Sequence, residues 1–116
     1  LDSNLFVIDN QLNSIDNKKI VKYDLSGNLS KEYTMSDYFS QQYIDNGWSR
    51  PYNACGNSNN IYITTSGGIL RINIANDSDY KLTSAGWSAP CAVNSTHLFV
   101  LTARTRVTKY SLSYFD

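Results

Sequence analysis

Histidine and methionine occur once each, and cysteine and proline twice each, in a chain of 116 residues whose ten basic and ten acidic side chains cancel. One histidine and two cysteines without ligand spacing exclude a zinc site built from those residue types. The balanced, scattered charge gives no electrostatic footprint for nucleic acid or an anionic membrane, so neither is expected as a partner. No apolar run approaches the ~18 residues of a membrane span, and the start carries no signal-like pattern. His97 has no serine, cysteine or carboxylate motif beside it to form a catalytic dyad, and Ser66-Gly67-Gly68 reads as a hairpin turn rather than a phosphate loop. The run from Asp9 to Asn17 is rich in Asp and Asn but lacks the spacing of a calcium loop. No catalytic residue, metal or cofactor is expected from these residues.

What the chain does have is a repeat. Gly47-Trp48-Ser49-Arg50-Pro51 returns as Gly86-Trp87-Ser88-Ala89-Pro90, 39 positions later. Each copy leads into a small-residue run, Tyr52 to Cys55 and Cys91 to Val93, and then into two strands. The first strand reads Ile61-Tyr62-Ile63-Thr64 and Leu98-Phe99-Val100-Leu101; the second reads Ile69 to Ile74 and Val107 to Leu112. A third, earlier copy aligns as Leu5-Phe6-Val7-Ile8 and Ile20 to Leu25. β-branched and aromatic residues fill these runs, and Gly, Asn, Asp and Ser lie between them, which is strand and turn chemistry. Lys31 to Met35 and Tyr80 to Thr83 complete the pattern as outer strands. With the strands of one unit lettered A to D, the chain reads B, C, D, then A, B, C, D, then A, B, C.

A period near 40 built from four short strands predicts propeller blades. Blade 1 spans about residues 1–46 and lacks its inner strand, blade 2 about 47–85, and blade 3 about 86–116 without its outer strand. In the C strands, Val21, Tyr23 and Leu25, then Leu70, Ile72 and Ile74, then Thr108, Tyr110 and Leu112 share one face, while Ile20, Ile69 and Val107 begin the other, so both faces of a blade are partly buried. The pattern of Pro51 with Ile61-Tyr62-Ile63 and Leu70-Arg71-Ile72, and of Pro90 with Leu98-Phe99-Val100 and Thr108-Lys109-Tyr110, resembles the blades of six-bladed propellers of the NHL-repeat type. That resemblance implies an all-β ring of five to seven blades, most simply six, and carries no catalytic residue. Two and a half blades do not close a ring. The expected complement is the remaining blades of a longer chain, or a homo-oligomer.

Cys55 and Cys91 fall in successive inner strands, and packed sheets lie ~10 Å apart, so buried free thiols are expected rather than a disulfide. Three sequons, at Asn28, Asn76 and Asn94, lean towards an extracellular chain, yet 13 asparagines produce about that number by chance, so the compartment stays open.

Antiparallel alternation places A–B and C–D turns on one rim and B–C and D–A loops on the other. The insertions, Asn10 to Lys19 and Ser36 to Asn46, fall on the second rim with both Gly-Trp-Ser-x-Pro segments, and loops of varied length on a rigid scaffold carry binding residues. Trp48, Arg50, Trp87, Arg104 and Arg106 are therefore the candidate binding residues. Recurrence in register favours the tryptophans as seals between blades, and Lys22, Arg71 and Lys109 as structural cations that pair with carboxylates or snorkel. The expected function is a non-enzymatic interaction propeller that binds a protein partner through this rim. A carbohydrate-binding propeller is the alternative, with tryptophan as a sugar platform. A propeller hydrolase or lyase is disfavoured, because the inner strands here offer Asn53, Cys55 and Cys91 but no acid.

Overall fold

The computed structural model describes residues 4–9, 19–84, 90–103 and 106–116. Its ten strands are β1 (Asn4–Asp9), β2 (Lys19–Asp24), β3 (Leu29–Thr34), β4 (Pro51–Gly56), β5 (Asn60–Thr65), β6 (Gly68–Asn73), β7 (Tyr80–Thr83), β8 (Cys91–Val93), β9 (His97–Ala103) and β10 (Arg106–Ser111). Every apolar run singled out in the sequence is a strand. The strands make three antiparallel meanders, β1-β2-β3, β4-β5-β6-β7 and β8-β9-β10, which we call sheets 1, 2 and 3.

Sheet 2 is buried on both faces because its register sorts apolar side chains to both. Ile61 pairs with Ile72 and Ile63 with Leu70, which puts these four on one face. There they join Ile20 and Tyr33 of sheet 1 in the larger core cluster, with Phe6 and Ile8 packed against it. One residue along, Tyr62 pairs with Arg71, and Ile69 lies on this same, opposite face. Tyr62 and Ile69 meet Leu98 and Val100 of sheet 3 and Phe115 of the C-terminal 3-10 turn (Leu112–Phe115) in a second cluster. Sheet 2 is thus the middle layer of three.

The segment 36–46, expected as an expanded loop, carries secondary structure of its own. Met35–Asp37 makes a 3-10 turn and Gln41–Asp45 a short helix, α1, capped by Ser40, whose hydroxyl accepts from Tyr43 N–H. Met35, Phe39 and Ile44 enter the larger cluster, so burial of these apolar groups, absent from an ordinary loop, drives the local order.

The cysteines also differ from expectation. Cys55 and Cys91 form a disulfide, and among the described residues no cysteine is free. The ~10 Å spacing behind the free-thiol reading applies to the middles of facing sheets. β4 and β8 are edge strands that run close beside one another, and there the Cα atoms of Cys55 and Cys91 are 5.8 Å apart, inside disulfide range.

Candidate functional site

The sorting of loops onto two rims agrees with the hydrogen bonds. On one rim, Ser66 Oγ in the β5–β6 turn donates to Gly47 O at 2.8 Å, joining a B–C turn to a D–A loop. A side chain at Gly67 would collide with Trp48 O at 2.8 Å and the Tyr43 ring at 2.9 Å, so this close approach requires glycine. On the other rim, Asn57 Nδ2 donates to Asn94 O at 3.2 Å, and Ile74 N–H donates to Asn59 O at 2.9 Å. Asn57 and Asn94 each accept at Oδ1 from the N–H groups two and three residues on, the same Asx turn in two repeats.

The first Gly-Trp-Ser-x-Pro segment is the C-terminal cap of α1. Gly47 takes φ +74° and donates to Ile44 O, and Trp48 N–H donates to Tyr43 O at 2.8 Å. This 6→1 and 5→2 pair is a Schellman motif, which calls for an apolar contact between the residue after the glycine and the third residue from the helix end. Trp48 and Tyr43 supply it, edge to face at 5.4 Å. This first copy is therefore a corner. Trp48 itself is no seal between sheets: 42 % of it is exposed, and its ring partner belongs to its own loop. For Trp48 the seal reading fails, because the cap geometry turns the indole to the rim.

Arg50 and Tyr52, two and four residues further on, make a contact of their own. A bulge between Pro51 and Asn53 leaves Tyr52 without a partner opposite it on β5, and bulges commonly re-aim a side chain at a strand end. The Arg50 guanidinium sits 5.7 Å over the Tyr52 ring, and Tyr52 is among the exposed aromatics. Arg50 Nε and Ser49 Oγ are buried and have no hydrogen-bond partner among the described residues. Arg106 is exposed at the start of β10, beside a second bulge. No hydrogen bond, ion pair or ring contact joins it to Trp48 or Arg50 among the described residues. Trp87 and Arg104, and residues 10–18 of the expected β1–β2 insertion, lie outside the described residues.

Tyr43 and Tyr52, the ring partners of Trp48 and Arg50, were not among the candidates read from the sequence. Ser40 and Gly47, bracketing the six residues 41–46, gave the signal for Tyr43, since they are ordinary helix start and stop residues. Nothing in the sequence marks the bulge that exposes Tyr52.

Of the recurring cations, Arg71 is structural. It is 6 % exposed, donates from Nε to Phe115 O at 2.7 Å and from Nη1 to Asn60 Oδ1 at 3.2 Å, and pairs through Nη2 with Asp79 at 3.0 Å. Lys22 and Lys109 make no ion pair among the described residues, so the register alone does not set that role. His97 bonds through Nδ1 to Thr96 Oγ1 at 2.9 Å, on the rim away from Trp48. Among the described residues no group of three or more His, Cys, Asp or Glu side chains is placed to hold a metal ion. Compared with known proteins, the chain matches no family model and no curated relative.

Proposed function

We propose that the chain is a non-enzymatic interaction module, a segment of a β-propeller whose D–A rim binds a protein partner. The observation that carries this reading is the patch of Trp48, Tyr43, Arg50 and Tyr52. Tryptophan, tyrosine and arginine are the residues over-represented at protein-binding hot spots. Here they are anchored to rigid parts: a capped helix, a bulged strand and a hairpin whose glycine admits no side chain. An anchored aromatic surface loses little side-chain entropy on association, which raises affinity for a given contact area. The three successive meanders support the propeller arrangement, since each follows the strand order of a blade and sheet 2 packs between neighbours as a blade does. A disulfide between two inner strands fits an oxidising compartment.

A photo-crosslinking amino acid at position 48, with position 58 on the opposite rim as control, tests the rim in cells of origin. A protein adduct at 48 that is absent at 58 is expected. Equal labelling at both positions, or none at 48, overturns the reading. An exposed Trp48 also favours a glycan as a second ligand class, because an indole face stacks on a sugar ring. Glycan-array titration decides this: binding that Trp48→Ala abolishes supports it, and the absence of binding sinks it.

A further inference from the structure

Two equivalent turns of the repeat differ at one nitrogen atom. Asn57 and Asn94 begin the same Asx turn between A and B strands, β4–β5 and β8–β9. In the first turn Asn57 Nδ2 is engaged by Asn94 O at 3.2 Å, and the residue two positions on is Asn59. In the second, Asn94 N–H donates to His97 O at 3.1 Å and its carbonyl accepts from Asn57. Asn94 Oδ1 accepts from Thr96 N–H, Thr96 Oγ1 and His97 N–H at 2.8, 3.1 and 2.8 Å. Asn94 Nδ2 makes no hydrogen bond among the described residues. With Oδ1 turned into the loop, the nitrogen on the other branch of the carboxamide points to solvent, and Asn94 is exposed.

Asn94-Ser95-Thr96 is also a sequon, the acceptor pattern for an N-linked glycan. Three sequons are no more than 13 asparagines give by chance, so their number carries nothing and their placement decides. All three carriers are exposed, at the β2–β3, β6–β7 and β8–β9 turns, on the rim away from Trp48. Their surroundings differ. Asn28 Nδ2 donates to Asp24 Oδ2 at 3.5 Å, and Asn76 precedes two ion-paired carboxylates, Asp77 with Lys31 and Asp79 with Arg71. Asn94 combines a fixed carboxamide, an Nδ2 open to solvent and a turn without an acid. Three residues before it, Cys91 forms the disulfide with Cys55. Disulfides form in the oxidising secretory route, and that is where sequons of secreted proteins receive their glycans.

We infer that Asn94 carries an N-linked glycan, standing on the rim opposite Trp48. Transfer joins Nδ2 to the anomeric carbon of the first sugar and breaks that carbon's bond to the diphosphate of a polyprenyl-linked donor. The diphosphate leaves with the bonding electrons, and one amide proton passes to solvent. Oδ1 keeps its three donors throughout, so the Asx turn survives the modification. The glycan leaves the Trp48 rim bare, and the inference does not rest on partner binding there.

Peptides spanning position 94, from native protein isolated from its cells of origin, are sequenced with and without an amidase that cleaves glycosyl-asparagine to aspartate. A hexosamine-bearing asparagine before digestion and an aspartate after it are expected, with Asn57 read as asparagine in both arms. Asn94→Asp keeps an acceptor oxygen for the turn and loses Nδ2, so it is expected to fold as the wild type does and to migrate at a mass lower by one glycan. Thr96→Ala is expected to lose the glycan and Thr96→Ser to keep it, a pair that serves should Asn94→Asp melt early. An unmodified Asn94 in the native protein overturns the inference, as it would be if its Nδ2 bonded a neighbouring turn in the way that of Asn57 does. Aspartate in both arms, the mark of spontaneous deamidation, overturns it too. So does an Asn94→Asp variant that migrates with the wild type, or a Thr96→Ala variant that keeps the glycan.

Discussion

The two junctions that hold sheet 2 are built by different means. Towards sheet 1 the contact is broad and aliphatic, filled out by Met35, Phe39 and Ile44 from the folded segment between β3 and β4. Its polar links lie at the periphery, in the Lys31–Asp77 pair at 2.6 Å and the Tyr38–Tyr80 edge contact at 4.9 Å. Towards sheet 3 the buried cluster is smaller, and it is reinforced by a disulfide, a buried arginine and edge-to-face contacts of Phe115 with Tyr62 and Tyr110. The lesson concerns area. The strands of sheet 1 have six residues each, whereas β8 of sheet 3 has three, so the second junction has less strand to bury and relies on covalent and polar links.

Neighbouring positions on β6 separate the two. Leu70→Ala opens a cavity in the aliphatic junction, and a loss of about 2–5 kcal/mol is expected from such truncations, read by chemical denaturation. Ile69→Ala, one residue along on the opposite face, is expected at the low end of that range while the disulfide is intact. An Ile69 loss equal to or above that of Leu70 breaks the comparison. Removing the staple with paired Cys55→Ala and Cys91→Ala changes comes next. For a sequence separation of 36, loop-closure entropy puts the loss at about 3–4 kcal/mol at most. Hydrogen exchange is expected to rise most in β8 to β10 and least in β1 to β3; uniform acceleration means the two junctions unfold as one unit.

Arg71→Met is expected to cost about 1–3 kcal/mol, because it leaves the Phe115 carbonyl buried without its donor. The methionine fills part of the arginine volume, so a larger loss means that the Asp79 and Asn60 bonds matter more than the carbonyl. Lys109→Met, at the equivalent position of β10, is the matched control, and little change is expected because that side chain is exposed.

Strand positions were legible in the sequence because period-2 alternation and turn residues act locally, as in the identical Asx turns at Asn57 and Asn94. The three-sheet order followed from the repeat. Three features were not legible, each for want of information about neighbours in space. The disulfide depends on how closely two edge strands converge. The burial of Phe39 and Ile44 depends on a gap between sheets that no local pattern displays. The exposure of Trp48 depends on α1, whose five residues are too few for a periodic signal. The approach of the β5–β6 turn to the Gly47 loop was legible, because strand alternation fixes it whatever the loops do.

The smallest expected effect is a dependence on alkaline pH confined to the first junction. Burial, followed by the nearby Asp77 carboxylate, pushes the Tyr38 hydroxyl up to about 12 from its ordinary 10. The folded state therefore holds this proton more tightly than the unfolded chain does, so its contribution is fully present below pH 10 and is lost as pH rises towards 12. Lys31–Asp77 has the opposite sign: the Lys31 ammonium holds the Asp77 carboxyl below its ordinary value, so that contribution is present above the ordinary carboxylate range and is lost on acidification. Sheet 1 should consequently loosen from sheet 2 at both pH extremes. The Cys55–Cys91 disulfide keeps sheet 3 in place. Melts from pH 9 to 12 are expected to show a decline that Tyr38→Phe reduces, with exchange rising in β1 to β3 first. A decline that Tyr38→Phe leaves unchanged, or that begins in β8 to β10, would show that the titrating group belongs to the second junction, whose Tyr62 hydroxyl is also raised by burial.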